Sequence, residues 1–111
     1  MEVTEGRTGG TTTLRIVGRV DSSVSKLLEQ KILDVVSRDD QFVVDLRDMN
    51  YVSSAGLRSF VILAKHAGAK NQTIALCGMH EEISEVFEIS GLLKLFAIYD
   101  TVEAAVAALP R

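Results

Sequence analysis

The feature that most constrains the fold is an alternation of short apolar segments with longer segments whose apolar residues recur at helical spacing. The short segments have the length and composition of strands and span residues 1–5, 12–17, 42–46, 73–77 and 96–99. Strands that alternate with helices pack as an α/β layer in which most strands run parallel. The first two segments flank Gly9-Gly10 and are close enough to pair antiparallel. We therefore predict one domain over residues 1–111, an α/β fold with a single-layer, mixed, largely parallel sheet of about four or five strands and about four helices.

Composition restricts the functions open to such a domain. The chain is 47% hydrophobic and has a formal net charge of −3, so nucleic-acid binding has no electrostatic support. Cys77 is the single cysteine, which rules out an intrachain disulfide. No apolar run approaches the ~20 residues that span a membrane, and the acidic N-terminus lacks the core of a signal peptide. These features predict a cytoplasmic protein.

Two adjacent serines lie where a hydroxyl could have either a structural or a functional role. The strand predicted over 42–46 runs into a short loop, which carries Ser53 and Ser54 to the start of an amphipathic helix. A hydroxyl at that point can cap the helix. It can also hold a phosphate, because free N–H groups and the helix dipole favour negative charge there. Local chemistry leaves both interpretations open.

Enzymatic alternatives find little support in the residues. A phosphate-accepting Asp45 would need an acidic pair for magnesium and a lysine beyond the last strand, but Lys94 precedes that strand. A nucleophilic Ser54 would need a nearby base, and His66 lies ~18 Å along the same helix. His80 has no recognisable orienting partner. Scattered histidines and one cysteine give no metal-ligand spacing, so we predict no catalytic residues, no metal and no cofactor.

The helix after Ser54 is predicted to have two distinct faces. The face expected to pack in the core carries Leu57, Phe60, Val61, Ala64 and Gly68. The opposite face, at roughly 100° per residue, carries Ala55, Arg58, Ser59, Ile62 and His66. One of Asp21, Ser22 or Ser23 is expected to cap the preceding helix.

Three motifs in order resemble those of a known family. They are Gly18-Arg19-Val20-Asp21, then Val43-Val44-Asp45-Leu46 with Val52-Ser53-Ser54-Ala55-Gly56-Leu57, then Phe87-Glu88-Ile89-Ser90-Gly91-Leu92 with Phe96-Ala97-Ile98-Tyr99-Asp100. In these motifs and in nearly its whole length the chain is similar to STAS domains of the bacterial anti-sigma-factor antagonist type, also called anti-anti-sigma factors. The resemblance implies the STAS fold.

The resemblance also implies a mechanism, called partner switching. In the family, the serine after an aspartate in the signature loop is phosphorylated by an anti-sigma factor that is a serine kinase of the histidine-kinase-like ATPase type. Aligned on Gly56-Leu57, that serine is Ser54, with Ser53 in the aspartate position and the less favoured acceptor. The unphosphorylated domain binds the kinase, which then releases the sigma factor. Phosphate on the serine blocks this binding, and a serine phosphatase restores it.

Two other functions stay open at this stage. Some STAS domains are not phosphorylated and serve as scaffold or transporter-associated subunits. An enzymatic alternative is nucleotide binding with weak hydrolysis.

The partner-binding surface is expected to lie at the carboxyl ends of the strands, where ligands and partners of α/β sheets gather. Arg58 and Ile62 project from the outer face of the helix that begins at Ser54. Asp21, in the loop before the first helix, should lie near the same edge. We predict one contact surface formed by Asp21, Ser53, Ser54, Arg58 and Ile62.

Overall fold

The computed structural model describes residues 1–110 and contains the five strands and four helices that the sequence pattern predicts. In chain order the elements are β1 (Glu2–Thr8), β2 (Thr11–Val20), α1 (Ser25–Arg38), β3 (Gln41–Val52), α2 (Ser54–Ala69), β4 (Thr73–Cys77), α3 (Glu81–Ile89), a 3-10 turn (Leu92–Lys94), β5 (Ala97–Tyr99) and α4 (Val102–Ala108). The strands form one sheet in the order β1-β2-β3-β4-β5. β1 is antiparallel to β2, and every other pair is parallel, which confirms the predicted mixed α/β sheet.

The two faces of the sheet are covered unequally. Alternate side chains of the central strand β3 point to opposite faces, as the pleat requires. Phe42, Val44 and Leu46 face the larger core, which the apolar residues of α1, α2 and α3 complete. Val43 faces a smaller core formed with α4, to which the fully buried Cys77 also belongs. The single-layer sheet therefore has three helices on one face and one on the other.

Strands β2 and β3 both run further than predicted. The sequence placed a loop after Leu46, but β3 continues to Val52 and pairs there with Val20 of β2. Met49 and Val52 are buried and anchor this extension, although exposed polar residues separate them. The register shifts twice along the pair, and Gly18, at φ 97°, lies at one of these shifts. The predicted loops were wrong because bulges let a polar segment remain in the sheet.

The start of α1 also differs from the prediction. Val24 occupies the cap position of that helix and makes no side-chain capping bond. Asp21 instead accepts hydrogen bonds on Oδ1 from the Ser23 N–H at 3.0 Å and from the Ser23 hydroxyl at 2.6 Å. This Asx turn shapes the loop before the helix. None of the three predicted capping residues therefore caps α1.

The buried stripe of α2 is rotated by one residue from the prediction. Its buried members are Gly56, Ser59, Phe60, Leu63 and Ala67. Ser59 was expected on the outer face but is only 1% exposed, whereas Gly68 was expected in the core and is exposed. A shift of one position turns a helix by ~100°, so Ile62 is half-buried at the side of the helix.

Candidate functional site

Ser53 forms the junction between β3 and α2. Its backbone N–H donates to the Val20 carbonyl at 2.9 Å, which joins the ends of β2 and β3. Its hydroxyl accepts from the Gly56 N–H at 3.2 Å, and its carbonyl accepts from the Leu57 N–H at 2.9 Å. Ser53 is therefore the N-cap of α2, and its side chain is committed to the helix terminus.

Ser54 is the first residue of α2, and its side chain is exposed. Within residues 1–110 its hydroxyl has no hydrogen-bond partner. The first turn of α2 carries no acidic residue, so the positive end of the helix dipole is not neutralised from within the helix. An exposed hydroxyl at this position is accessible to an enzyme, and a negative group attached to it would be tolerated by the helix.

Gly56 fixes the position of this helix terminus against the sheet. A β-carbon built on Gly56 would lie 2.8 Å from side-chain carbons of both Val20 and Val52, and 2.9 Å from the Val20 carbonyl oxygen. Real β-carbons do not approach other atoms so closely. Glycine is therefore required for α2 to contact the ends of β2 and β3, and this contact determines where Ser54 is presented.

Asp21 lies at the same edge of the sheet. It directly follows Val20, whose carbonyl bonds to Ser53, and it is half-buried. The hydrogen bond from the Ser23 hydroxyl, and then that from the Ser23 N–H, hold the pKa of Asp21 below its usual value. The Asp21 side chain is thus an anion near the proposed phosphosite. Arg19 lies in β2, two residues before Asp21, with its guanidinium 4.1 Å from the centre of the Tyr51 ring.

A groove between α1 and α2 extends the site along the helix. Its lining residues are Ser25, Lys26, Glu29, Ala55, Arg58 and Ile62. Arg58 is exposed and has no ion-pair partner in the part of the chain that the structure describes. Arg58 and Ile62 therefore line the same groove.

Sequence reasoning missed the contribution of α1 to this groove. The buried Ser59 hydroxyl lies 3.2 Å from the Ser25 carbonyl oxygen and 3.3 Å from Glu29 Oε1. These bonds tie α2 to α1 beneath the groove. A serine that interrupts an apolar stripe is the only sequence signal of this contact, and it resembles an ordinary surface serine.

The groups considered for enzymatic chemistry lie elsewhere and have other partners. Asp45 is 5% exposed, accepts from the Arg47 N–H at 3.0 Å and lies 3.6 Å from the Arg47 guanidinium. His80 Nε2 lies 2.6 Å from the Arg47 carbonyl oxygen, and His66 is exposed on α2. Burial raises the pKa of the Cys77 thiol to about 12. None of these groups is therefore positioned as a base for Ser54.

No group of three or more histidine, cysteine or acidic side chains within residues 1–110 is arranged to hold a metal ion. No helix in that range combines the length and the apolar character that a membrane span needs.

Comparison with known proteins identifies the family. A family model described as the STAS domain matches residues 3–105. The chain belongs to the STAS domain family. A putative anti-sigma factor antagonist, BtrV, from Bordetella bronchiseptica is 35% identical to this STAS protein over the full length of both chains. A STAS-domain containing protein from Pseudomonas aeruginosa is 31% identical over 78% of this chain and 85% of the relative.

Solved structures agree on the fold. The crystal structure of a putative anti-sigma factor antagonist from Thermotoga maritima superposes with a TM-score of 0.89. That match covers 98% of this chain and 95% of the other at 18% identity, so it concerns the fold alone. The family resemblance drawn from the sequence motifs is confirmed.

Proposed function

We propose that this STAS protein is an anti-sigma factor antagonist whose binding is controlled by phosphorylation of Ser54. In its unphosphorylated form it binds an anti-sigma factor that is a serine kinase of the histidine-kinase-like ATPase type. A serine phosphatase removes the phosphate and restores binding. The observation that carries the proposal is the difference between two neighbouring hydroxyls, since Ser53 caps α2 while Ser54 is exposed and unbonded.

The effect of phosphate on the free domain should be small. Phosphorylation adds about −1.5 to −2 charges at pH 7. At Ser54 this charge meets the N-terminus of α2, whose dipole and free N–H groups favour anions. The exposed Arg58 lies four residues later, on the same side of the helix as Ser54. The folded structure therefore accommodates the phosphate without rearrangement.

The effect on a bound partner should be large. A partner that covers Ser54 would have to desolvate the phosphate or place a cation against it, and an unmatched buried charge costs several kcal/mol. The ionised Asp21 at the same edge adds negative potential. A surface that a kinase binds when Ser54 carries a hydroxyl is thus a poor surface when it carries a phosphate.

The proposed docking surface runs from the Asp21 loop across Ser53 and Ser54 to Arg58 and Ile62. Ile62 is half-buried between α1 and α2, and the groove beside it adds Lys26 and Glu29 from α1. An apolar centre with a charged rim is the usual composition of a protein–protein interface. Because the kinase uses ATP, we place the protein in the cytoplasm, with no catalytic residue of its own.

A second candidate of the same fold is a STAS scaffold or transporter-associated subunit that is not phosphorylated. It is favoured by one observation, the presence of Ser53 where the family's signature loop carries an aspartate. Because Ser53 forms the cap that the aspartate would also form, the fold is compatible with either function. Phosphorylation itself separates the two candidates.

The deciding experiment is intact-mass analysis after incubation with ATP and each histidine-kinase-like ATPase of the same cell. We expect the mass of one phosphate to be added, mapping to Ser54. Ser54→Ala should abolish the addition, whereas the matched Ser53→Ala should retain it. If no ATPase modifies the chain, the scaffold function is favoured. Persistent modification of Ser54→Ala would move the acceptor to another residue.

A further inference from the structure

A second exposed apolar surface lies where α3, the 3-10 turn and β5 meet. Ile89 is 87% exposed, Leu95 is 55% exposed and Ile98 is 38% exposed. Three of the five large apolar side chains exposed within residues 1–110 thus fall within ten positions of the chain. The 3-10 turn contacts both α3 and β5, so the three belong to one corner of the fold. We call Ile89, Leu95 and Ile98 the corner patch. Grouped apolar exposure of this kind marks an interaction site, whereas a single exposed residue is ordinary.

The helix beside the corner patch is strongly acidic. The exposed glutamates of α3 are Glu81, Glu82, Glu85 and Glu88, and the helix contains no lysine or arginine. Because Ile83 and Phe87 face the core, helical spacing places Ile89 on the outer side among these carboxylates. Ile89 is four residues after Glu85, so the two side chains are neighbours.

Two of these carboxylates, Glu81 and Glu82, lie in the first turn of α3, where the helix dipole favours negative charge. Within the described residues none of the four has an ion-pair partner. Glu85 and Glu88 lie towards the C-terminus of α3, where the helix dipole disfavours negative charge, and its last turn has no basic residue. Gly91, at φ 76°, ends the helix without adding a cation. Carboxylates at an unfavourable end of the helix dipole, beside an exposed isoleucine, indicate a surface that serves binding.

The backbone at this corner is open as well. Within residues 1–110, β5 is an edge strand that pairs only with β4. The Tyr99 carbonyl accepts from the Gly78 N–H at 3.2 Å, so the Tyr99 peptide groups point towards β4. Successive residues of a strand alternate, which directs the Ile98 peptide groups to the open edge. A bound segment could therefore find backbone partners beside the corner patch.

We propose that the corner patch and the α3 glutamates together bind a cationic, amphipathic polypeptide segment of another protein. Apolar residues of that segment would cover Ile89 and Leu95, while its lysines or arginines would pair with Glu85 and Glu88. Charge complementarity favours a cationic polypeptide, because four carboxylates repel both nucleic acid and anionic membrane surfaces.

This site goes beyond the proposed function, since its residues belong to α3, the 3-10 turn and β5, and none of them lines the α1–α2 groove. Helices α2 and α3 both begin at the carboxyl ends of the strands, directly after β3 and β4. α3 then rises ~12 Å from its first residue to Ile89, away from those carboxyl ends. A segment bound at the corner patch leaves the α1–α2 groove free, and its affinity does not depend on phosphorylation of Ser54.

The test is an NMR titration of the isotope-labelled full chain with a short synthetic peptide of leucine and lysine at helical spacing. A peptide of the same pattern with glutamate in place of lysine serves as the control. We expect shifts confined to α3, the 3-10 turn and β5 with the lysine peptide and none with the glutamate peptide. Ile89→Ser and the pair Glu85→Lys with Glu88→Lys should each weaken binding about tenfold.

The matched control for charge is the pair Glu2→Lys with Asp40→Lys, which changes the net charge equally at exposed sites outside the corner. It should leave affinity within about twofold, and Ser54→Glu should do the same. Equal weakening by the control pair, or shifts spread over the whole surface, would show unspecific charge attraction and overturn the proposal. Sedimentation of the free chain tests whether a second copy of this chain occupies the corner patch instead. A dimer that Ile89→Ser dissociates would assign the patch to that second copy and overturn the proposal.

Discussion

At the residue scale, Ser53 and Ser54 are adjacent but their hydroxyls have different roles. Ser53→Ala removes the hydrogen bond to the Gly56 N–H and should lower the free energy of unfolding by about 1 kcal/mol. Ser54→Ala removes an exposed, unbonded hydroxyl and should stay within about 0.5 kcal/mol of the parent. Urea denaturation of both variants measures the difference. Equal losses would contradict the assignment of Ser53 as the sole cap.

Gly56 provides a second prediction at this scale. Gly56→Ala introduces a β-carbon within 3 Å of Val20 and Val52. The resulting overpacking should cost about 1–3 kcal/mol, which outweighs the ~1 kcal/mol that alanine gains in helix propensity. The matched control is Gly68→Ala on the same helix, because a β-carbon there meets nothing within 4 Å. That variant should be stabilised, and thermal unfolding of the pair should give shifts of opposite sign.

At the element scale, α2 combines a core face with a docking face. Ile62→Asp should leave the free energy of unfolding within roughly 1 kcal/mol, because Ile62 is half-buried at the rim of the α1–α2 groove. It should weaken binding to the anti-sigma kinase at least about tenfold. His66→Asp, exposed and outside that groove, is the matched control and should bind normally. If Ile62→Asp unfolds the domain, the side chain belongs to the core.

The sequence could predict the elements but not their finer placement. Apolar strands bounded by turns were recognisable, and β4 was found at its observed limits. The rotation of α2 about its own axis was not recognisable, because apolar stripes beginning at Gly56 and at Leu57 differ by one position. The close contact of Gly56 with the strand ends selects between them, and that contact is long-range.

The positions of three residues of the candidate site also followed from the sequence. Ser53, Ser54 and Asp21 were placed correctly at the carboxyl ends of β2 and β3, because parallel strands bring these ends together. The contribution of α1 was missed because the contact between Ser59 and Glu29 depends on how two helices pack.

At the scale of the whole molecule, ion pairs between elements contribute to the response to acid. Arg38 of α1 hydrogen-bonds Glu5 of β1 and holds the pKa of that carboxyl below its usual value. Arg15 of β2 hydrogen-bonds Asp48 of β3 and holds the pKa of that carboxyl below its usual value. The unfolded chain binds more protons than the folded chain near these values, so stability must fall as pH decreases through them.

These shifts predict the pH dependence of unfolding. The contribution of both pairs is complete above about pH 5 and is lost progressively as the folded-state carboxylates take up protons below their lowered pKa values. Glu5→Gln should therefore flatten the acid side of a plot of melting temperature against pH. High salt should reduce the same effect, because both pairs are exposed. An unchanged acid limb would show that other groups control acid unfolding.

The most direct test of Ser54 as the switch is calorimetric titration of the anti-sigma kinase with two forms of the chain. One form is unmodified and the other is phosphorylated at Ser54. We predict that the unmodified chain binds and that phosphate weakens the affinity at least about tenfold. Both forms should show the same folded structure by circular dichroism, because the start of α2 accommodates the charge. Equal affinity of the two forms, or binding that requires the phosphate, would contradict the proposal that Ser54 is the switch.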